Sequence, residues 1–446
     1  MADAGEAAAA EAGSGVTGPA GTRPAGQDIR RTRLDSGLRI VTEALPALRS
    51  VSVGFWVGVG SRDERDDEFG ASHFLEHLLF KGTADRSAAQ IAHAVESVGG
   101  DMNAFTAQEM TSFYVRVPDD QLDLALDILA EVVWAPALRP EDVDAERNVI
   151  LEEIHMRDDA PEDLVHELFS EAMFPDHPLG REVLGTQGSI TDMTRASIER
   201  FHDRNYGPPS IVVAAAGNLE HEHVVDRISA HRGALRSIPE LDLGRSVEGL
   251  APARPRAVLT KPAEQVHVVV GTRGIARDDL DRYPLTVLNQ ALGGGMSSRL
   301  FQEVRERRGL AYAVYSYRIA YLETGAFGVY VGTAPGRVAE TVDVIGAELD
   351  RVIRDRGITD DELSAAKGHL KGSMALSLET SNSRMHRLGS SELMLGEALS
   401  LDEVVARVEA VTSDDVARVV SRLFSSGPRT LVMVGPVDES SVSALG

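Results

Sequence analysis

The segment from residue 69 to residue 83, FGASHFLEHLLFKGT, contains His73 and His77, four residues apart, with Glu76 directly before the second histidine. On a helix, residues four apart lie on one face, so both imidazoles can bind one metal ion. Glu76 leans to the same side, where its carboxylate can take a proton from metal-bound water and so generate a nucleophile near neutral pH. The spacing predicts a helix that carries a zinc site and a general base.

Surface histidines that fall together by chance are the alternative interpretation. The flanking residues argue against it, because they supply an apolar face that would bury the helix: Phe74, Leu75, Leu78, Leu79 and Phe80. Two histidines and a glutamate on a largely buried helix cost desolvation free energy unless a ligand compensates them. The flanks therefore favour a metal site.

Composition limits the ligands and the partners. The 446 residues include no cysteine, so zinc would have to be held by histidine and carboxylate groups. The formal net charge of −24 argues against nucleic acid as a partner, because phosphate binding requires clustered Lys and Arg, and it favours neutral or cationic partners. The chain length and a hydrophobic content of 43% favour two or more globular domains.

The N-terminal segment, residues 1–28, is rich in Ala, Gly and Pro and has no apolar periodicity, which predicts a disordered tail. It lacks the basic start and the apolar core of a signal peptide. The longest apolar run, residues 51–60, is too short to span a membrane. We therefore expect a cytoplasmic protein with no membrane association.

Hydrophobic periodicity predicts an α+β chain of two homologous α/β domains, each a mostly antiparallel sheet flanked by helices. Residues 29–231 form the predicted first domain, which contains the motif helix. The pattern fades over residues 232–256, the predicted linker, and residues 257–446 then repeat the plan. In this second domain Val287, Gln290 and Ala291 occupy the three motif positions, so we expect it to lack the metal site.

A site with two histidines needs a third protein ligand and keeps one position open for water. The downstream helix AERNVILEEIHMR offers Glu146, Glu152 and Glu153. Glu146 and Glu153 are seven residues apart and share a face, whereas Glu152 points about a quarter turn away. For any single glutamate here, the alternative is that it only keeps a solvated helix soluble.

The chain resembles the pitrilysin and insulinase family of zinc peptidases, in which the order H-x-x-E-H is the inverzincin signature. It is most similar to the shorter members, such as the β subunit of mitochondrial processing peptidase and bacterial homologues. The resemblance extends over residues 29–434 and rests on HFLEHLLFKGT, GGDMNAFTAQEMTSFYV, ERNVILEEI, HPLGREVLGT and GGGMSSRLFQEVRERRGLAYAVYS. It implies one zinc ion per chain, held by His73, His77 and Glu153, with Glu146 orienting a ligand from outside the metal sphere.

The resemblance also assigns a substrate strand. Asn103, Ala104 and Phe105 match an edge strand along which family members bind an extended substrate by β-augmentation. An ordinary hairpin would explain these three residues equally well.

Two further residues match donors in the non-catalytic half of family members. Arg305 and Tyr312 would bind the substrate backbone and the oxyanion of the tetrahedral intermediate. From the residues alone, Arg307 and Arg308 are as good candidates for the arginine donor as Arg305. A chain with two domains has half as many as the long family members, so the resemblance implies a homodimer that closes as a clamshell, in which Arg305 and Tyr312 of one chain complete the site of the other.

Asp163 and Glu167 match positions that bind a substrate arginine in the processing peptidases. Carboxylates four residues apart on a helix can hold a guanidinium in a fork, and the enzyme would then prefer basic peptides. The alternative is an acidic pair that decorates an exposed helix.

Together these features predict a zinc metalloendopeptidase that cleaves extended or unfolded peptides in a closed chamber. One alternative is a non-catalytic partner subunit of a peptidase-like heterocomplex, which would be expected to have lost the motif or Glu153. Another is a zinc hydrolase that acts on a non-peptide substrate, for which the sequence offers no specific support. An enzyme that needs a different partner subunit also remains open.

Overall fold

The computed structural model describes residues 29–438, apart from residues 237, 240–244 and 426. The predicted tail, residues 1–28, lies outside the described residues. The described part contains two β-sheets, of six and five strands, with helices packed against them. Within these ranges, no helix has the length and apolar character needed to cross a membrane.

The first sheet is built from strands of the N-terminal half. They are β1 (Ile29–Arg33), β2 (Arg39–Ala44), β3 (Ser50–Val57), β4 (Asp101–Thr106), β5 (Thr111–Pro118) and β6 (Ile211–Gly217). Their order across the sheet is β1-β2-β6-β3-β5-β4, with β2 and β6 parallel and the other neighbours antiparallel. Strand β4 therefore lies at one edge, and its outer side is available for another strand.

The second sheet has the same plan. Its strands are β7 (Arg256–Thr260), β8 (Val266–Arg273), β9 (Ala311–Ala320), β10 (Gly325–Thr333) and β11 (Thr430–Gly435). They are ordered β7-β11-β8-β10-β9, which reproduces β2-β6-β3-β5-β4, including the parallel pair of the first and last strands. This shared topology confirms the predicted α+β class and the pair of homologous α/β domains.

Helices cover the sheets. In the first half they are α1 (Ala71–Leu79), α2 (Ala88–Glu96), α3 (Leu122–Trp134), α4 (Pro140–Asp158), α5 (Pro161–Met173), α6 (Gln187–Asp192), α7 (Arg195–Asn205) and α8 (His221–Ser229). In the second half they are α9 (Arg282–Gly293), α10 (Val338–Arg354), α11 (Asp360–Ser377), α12 (Ser381–Leu395), α13 (Leu401–Glu409) and α14 (Ser413–Phe424), with a π-helix over Phe301–Arg307.

Apolar periodicity over residues 191–204 predicts one continuous helix, but the structure interrupts it. The side chain of Thr194 accepts a hydrogen bond from the backbone N–H of Ser197 and begins α7 as a new helix. The extended backbone of Met193 and Thr194 separates α7 from α6. A strong N-cap thus outweighs the continuous apolar periodicity on which the longer helix was predicted.

The two domains exchange a helix. Helix α5 of the first half packs on the second sheet, where Val165 and Phe169 share an apolar cluster with Val269. Helix α12 of the second half packs on the first sheet, where Met385 contributes to a cluster around Trp56. Burying a large apolar side chain contributes about 1.5–3 kcal/mol, so this exchange joins the domains far more firmly than a linker alone.

Candidate metal centre

Helix α1, which carries the two histidines, begins at Gly70 in a left-handed conformation with φ 95°. Glycine suits that conformation but has no side chain to cap the helix. The buried carboxylate of Glu64 takes over this role, because it accepts hydrogen bonds from the backbone N–H groups of Gly70 (2.8 Å) and Ser72 (2.7 Å). Burial raises the pKa of Glu64 to about 8. Glu64 therefore fixes the start of the helix, from Gly70 to Ser72, directly before His73.

Helices α1 and α4 pack side by side, and this places a third ligand beside the histidines. Phe74 of α1 and Ile150 of α4 belong to the same buried cluster. The carboxylate oxygen Oε2 of Glu153 lies 3.6 Å from Nε2 of His73 and 3.5 Å from Nε2 of His77. The ligand atoms of these three residues all lie within 4.8 Å of one another.

These separations fit a zinc ion. Ligands bound to zinc at about 2.0–2.2 Å with tetrahedral angles stand roughly 3.3–3.6 Å apart. The two nitrogen–oxygen distances, 3.6 and 3.5 Å, fall at the end of this range and are too long for good hydrogen bonds. Two imidazoles and one carboxylate are also a donor set that zinc prefers, with a fourth position left for water.

The other two glutamates of α4 have different surroundings. Oε2 of Glu146 lies 2.9 Å from Nδ1 of His77, and its Oε1 lies 2.6 Å from Nζ of Lys81. A hydrogen bond from Nδ1–H to Glu146 leaves the lone pair of His77 Nε2 free for a metal. Glu152 has a side chain that is 78% exposed and, within the described part of the chain, forms an ion pair only with His155, at 3.9 Å. Glu153 and Glu146 therefore face the histidines, and Glu152 faces solvent.

The imidazole of His73 is held in its neutral form. Burial, followed by the nearby charge of His77, lowers the pKa of His73 to about 3. Nδ1 of His73 is buried and has no hydrogen-bond partner among the described residues. A neutral imidazole is the form that donates a lone pair to a metal, so His73 is prepared for coordination.

Glu76 lies between the metal cluster and the edge strand β4. Burial raises the pKa of its carboxyl group, and the charge of Glu153 adds to the rise, while Thr106 and His77 act in the opposite direction. Thr106 is the last residue of β4, so this strand passes directly beside the proposed base. A carboxylate with a raised pKa is a better proton acceptor than an ordinary glutamate.

The strand predicted to bind substrate occupies the free edge of the first sheet. Oδ1 of Asn103 accepts a hydrogen bond from the backbone N–H of Ala104 at 2.8 Å. The Phe105 ring packs edge-on against Trp56, with 5.7 Å between the ring centroids, and is stacked with His386 of α12 at 6.1 Å. The side chain of Phe105 thus anchors the strand, while Asn103 occupies a backbone donor that an incoming strand could use.

Arg305 and Tyr312 lie in the second domain, on the π-helix and at the start of β9. Arg305 contacts Tyr312 itself, and neither residue has a hydrogen bond, ion pair or ring contact with the metal cluster in the described part of the chain. Arg307 and Arg308, the competing candidates, both form ion pairs with Glu303 of their own segment, that of Arg308 at 3.9 Å. Single π-helical turns are frequent at functional sites.

Asp163 and Glu167 both lie on α5 but have different neighbours. Oε2 of Glu167 is 3.5 Å from the guanidinium of Arg157, which also lies 3.7 Å from Glu182. Burial and the neighbouring Glu182 raise the pKa of Glu167. Asp163 instead acts electrostatically on His166. An arginine of the same chain therefore already occupies one of the two carboxylates.

Two neighbours of the metal centre were not singled out from the sequence. Lys81 lies four residues after His77, just beyond the end of α1, so its spacing was a signal that could have identified it. Glu64 gave no such signal, because it lies in the loop before the motif and reaches the helix only through the fold. Its carboxylate lies at the N-terminus of α1, six residues from Gly70.

Comparisons with known proteins match one protein family along most of the chain. The family model described as insulinase (peptidase family M16) matches residues 39–187, and the peptidase M16 inactive domain matches residues 192–370. An uncharacterised zinc protease of Streptomyces coelicolor is 47% identical over 422 residues, which cover 94% of this chain and 92% of that protein. The uncharacterised zinc protease YmxG of Bacillus subtilis is 38% identical over 410 residues, covering 92% of this chain and 98% of that protein.

Two solved structures have the same fold over most of the chain. The crystal structure of a protease from Helicobacter pylori superposes with a TM-score of 0.84 at 25% identity, covering 92% of this chain and 99% of that chain. A peptidase M16 inactive domain from Pseudomonas fluorescens gives the same TM-score, 0.84, at 23% identity, with the same coverage of 92% and 99%. The chain therefore belongs to the insulinase family of peptidases, family M16, and is a zinc protease of that family.

Proposed function

We propose that this chain is a zinc-dependent endopeptidase in which Glu76 is the general base and extended peptides are the substrates. The observation that carries the proposal is the position of Glu76, with its raised pKa, between three zinc-compatible ligand atoms and the edge strand β4. His73, His77 and Glu153 would hold the ion. Bound zinc would polarise the scissile carbonyl group and make the attacking water more acidic.

Glu76 moves the proton in this mechanism. Its carboxylate accepts a proton from the attacking water and later donates it to the amine nitrogen of the leaving peptide. The raised pKa of Glu76 suits both steps, because a stronger base accepts the proton more readily and its acid still donates to an amine. Glu146 keeps the imidazole of His77 oriented through the hydrogen bond to Nδ1.

The edge strand supports a preference for extended chains. A substrate that pairs with β4 as an additional strand gains backbone hydrogen bonds whatever its sequence, and it displaces the Asn103 side chain from the N–H of Ala104. Thr106, at the end of this strand, would bring the scissile bond close to Glu76. Folded domains present few free backbone groups and would be poor substrates.

The assembly we propose is a homodimer that closes as a clamshell in the cytoplasm. Arg305 and Tyr312 have no contact with the metal ligands of their own chain among the described residues, which supports a role in the site of a second copy. The alternative is a non-catalytic partner subunit. It does not explain why the chain has His73, Glu76 and Glu153.

Substitution of the base tests the proposal. Glu76→Gln keeps the shape of the side chain but cannot accept a proton, so cleavage of a quenched fluorescent peptide library should fall by roughly 10²- to 10⁴-fold while zinc content stays near one ion per chain. Glu152→Gln is the matched control, because Glu152 lies on the neighbouring helix but faces solvent, and it should cleave normally. Wild type that binds zinc and cleaves no peptide would reject the peptidase assignment in favour of a partner subunit or a non-peptide hydrolase.

A further inference from the structure

We propose that Lys81 is a positioning residue of the metal centre, acting through Glu146 on the zinc ligand His77. The inference rests on the proposed function, since it concerns the same zinc site. Glu146 lies between the two residues, with Oε1 at 2.6 Å from the Lys81 ammonium and Oε2 at 2.9 Å from His77 Nδ1. Each carboxylate oxygen therefore has one strong partner.

The burial of Glu146 explains why a second partner matters. Its side chain is only 6% exposed, so water cannot replace a lost hydrogen bond. Removing one partner of a buried ion pair leaves an uncompensated charge, which is strongly unfavourable. With Lys81 removed, Glu146 would relieve this cost by turning toward solvent, and it would then release the imidazole of His77.

The charges around the histidines also support a positioning role for Lys81. Two carboxylates, Glu146 and Glu153, approach His77 from opposite ring nitrogens, at 2.9 and 3.5 Å. Lys81 contributes a positive charge on the Glu146 side, and its side chain is 38% exposed, so the ammonium keeps part of its hydration. Lys81 therefore offsets the outer carboxylate and leaves Glu153 as the negative ligand of the ion.

Lys81 is held by the turn that follows α1. Its backbone N–H donates to the carbonyl oxygen of Leu78 at 3.0 Å, and Arg139 donates to the carbonyl oxygens of Lys81 at 3.4 Å and Thr83 at 2.9 Å. Gly82 has φ 136°, a conformation that favours glycine, and it forms a bridge to Ser87. The fold thus fixes the backbone of Lys81 independently of the metal, at a position from which its side chain reaches Glu146.

The expected consequence is a change in zinc affinity. A hydrogen bond from Nδ1–H to Glu146 sets the tautomer of His77 and increases the basicity of Nε2. Loss of a partner outside the metal sphere commonly weakens metal binding by about 10- to 100-fold. For Lys81, which acts one step further out, we expect a zinc dissociation constant raised by about tenfold.

Zinc competition with a chromophoric chelator tests this role on the full chain. The variants are Lys81→Met, Lys81→Arg, Glu146→Gln and the double variant Lys81→Met/Glu146→Gln. Lys371→Met is the matched control, because Lys371 also pairs with a glutamate, Glu409 at 3.6 Å, but on the surface of the second domain. Thermal unfolding of the zinc-free proteins checks that every variant is folded.

The double variant separates positioning from general stability. Lys81→Met should weaken zinc binding by about tenfold, Lys81→Arg should restore most of it, and Lys371→Met should leave it unchanged. In the double variant, zinc binding should be no weaker than in Glu146→Gln, because Lys81 has no charge left to balance. If Lys81→Met binds zinc as tightly as wild type, or if the losses in the double variant are additive, the role of Lys81 is overturned. The proposed function is not affected by either result. A wild-type chain that binds no zinc would overturn this role together with the proposed function.

Discussion

The guanidinium carbon of Arg305 lies 4.3 Å from the ring centroid of Tyr312, and Nη1 of Arg305 donates a hydrogen bond of 3.0 Å to the carbonyl oxygen of Tyr312. The Tyr312 side chain is nevertheless 78% exposed. The pair is therefore preformed by local contacts and points into solvent. Such an arrangement can donate to a group supplied from outside the domain, and a substrate bound to a second copy is the group that we propose.

This arrangement predicts complementation between inactive chains. His73→Ala removes a metal ligand, and Arg305→Ala removes a donor to the oxyanion, a loss that typically lowers kcat by about 10²- to 10³-fold. A mixture of the two variants should regain about a quarter of wild-type activity, because one of the two sites in each mixed dimer has all its residues and about half of the dimers are mixed. The measurement is peptide cleavage after subunit exchange. If exchange is demonstrated by differently labelled chains and activity stays absent, the two residues do not act in trans.

A second prediction concerns the turn between β4 and β5. The carboxylate of Glu109, in this turn, is buried and pairs with Arg62 of the first domain and Arg277 of the second. Its oxygens also accept hydrogen bonds of 3.2 and 3.3 Å from the backbone N–H of Leu322. The turn that ends the proposed substrate strand is thereby fixed to the other domain.

Glu109→Gln should lower the free energy of unfolding by about 3–5 kcal/mol, because it removes the shared partner of a buried ion-pair network, which leaves Arg277 without this counter-charge and Arg62 with Glu323 alone. It should also raise KM for peptides, since β4 becomes less well ordered. Urea unfolding and peptide kinetics measure the two effects. Glu323→Gln is the control, because Glu323 pairs with Arg62 but its side chain is 22% exposed, and a smaller change is expected. Equal effects of both substitutions would argue against a special role for Glu109.

A third prediction follows from the buried cap of α1. Burial raises the pKa of Glu64 from 4.5 to about 8. Between these values the folded chain keeps a proton that the unfolded chain has released, so this group makes the protein less stable as pH rises from 4.5 to about 8. The slope from one such group is about 1.4 kcal/mol per pH unit at most.

Glu64→Gln removes this titration. The free energy of unfolding of wild type, relative to the variant, should therefore decrease between about pH 5 and about pH 8. Urea unfolding of both proteins at the two pH values measures this decrease. The contributions of all other titrating groups are the same in both proteins and cancel in the difference. Parallel stability curves would mean that Glu64 does not titrate in this range.

The sequence predicted the features that depend on local spacing. Alternation of side chains over residues 101–106 and 311–320 predicts two strands, and β4 and β9 have these bounds. The motif spacing likewise predicted that His73 and His77 share one helix face, whereas Glu153 was assigned as the third ligand by the family resemblance. The break between α6 and α7 was missed because a single capping residue, Thr194, decided it.

Features that depend on contacts distant in the chain were not predictable in the same way. The apolar faces of α5 and α12 indicate buried helices but contain no information on which sheet buries them, so the exchange between domains appears only in the fold. The pairing of Arg157 with Glu167 was not predictable for a different reason, because it depends on how α5 packs beside α4.

The last prediction concerns the preference for basic peptides. Arg157 already lies 3.5 Å from Glu167, so a substrate arginine would have to share this carboxylate or bind chiefly to Asp163. Charge reversal at both positions, Asp163→Lys with Glu167→Lys, should reduce kcat/KM for arginine peptides by about 10- to 100-fold relative to matched citrulline peptides, because charge-assisted hydrogen bonds contribute about 1.5–3 kcal/mol.

The single variants separate the two carboxylates. If Arg157 occupies Glu167 in the working enzyme, Asp163→Lys alone should account for most of the loss of arginine preference. Glu171→Lys is the control, because Glu171 lies one turn further along α5 and pairs with Arg254 at 2.8 Å on the surface. Initial rates on paired arginine and citrulline peptides give the ratio directly. An unchanged preference for arginine in the double variant would show that Asp163 and Glu167 are ordinary surface acids of the helix and do not bind the substrate arginine.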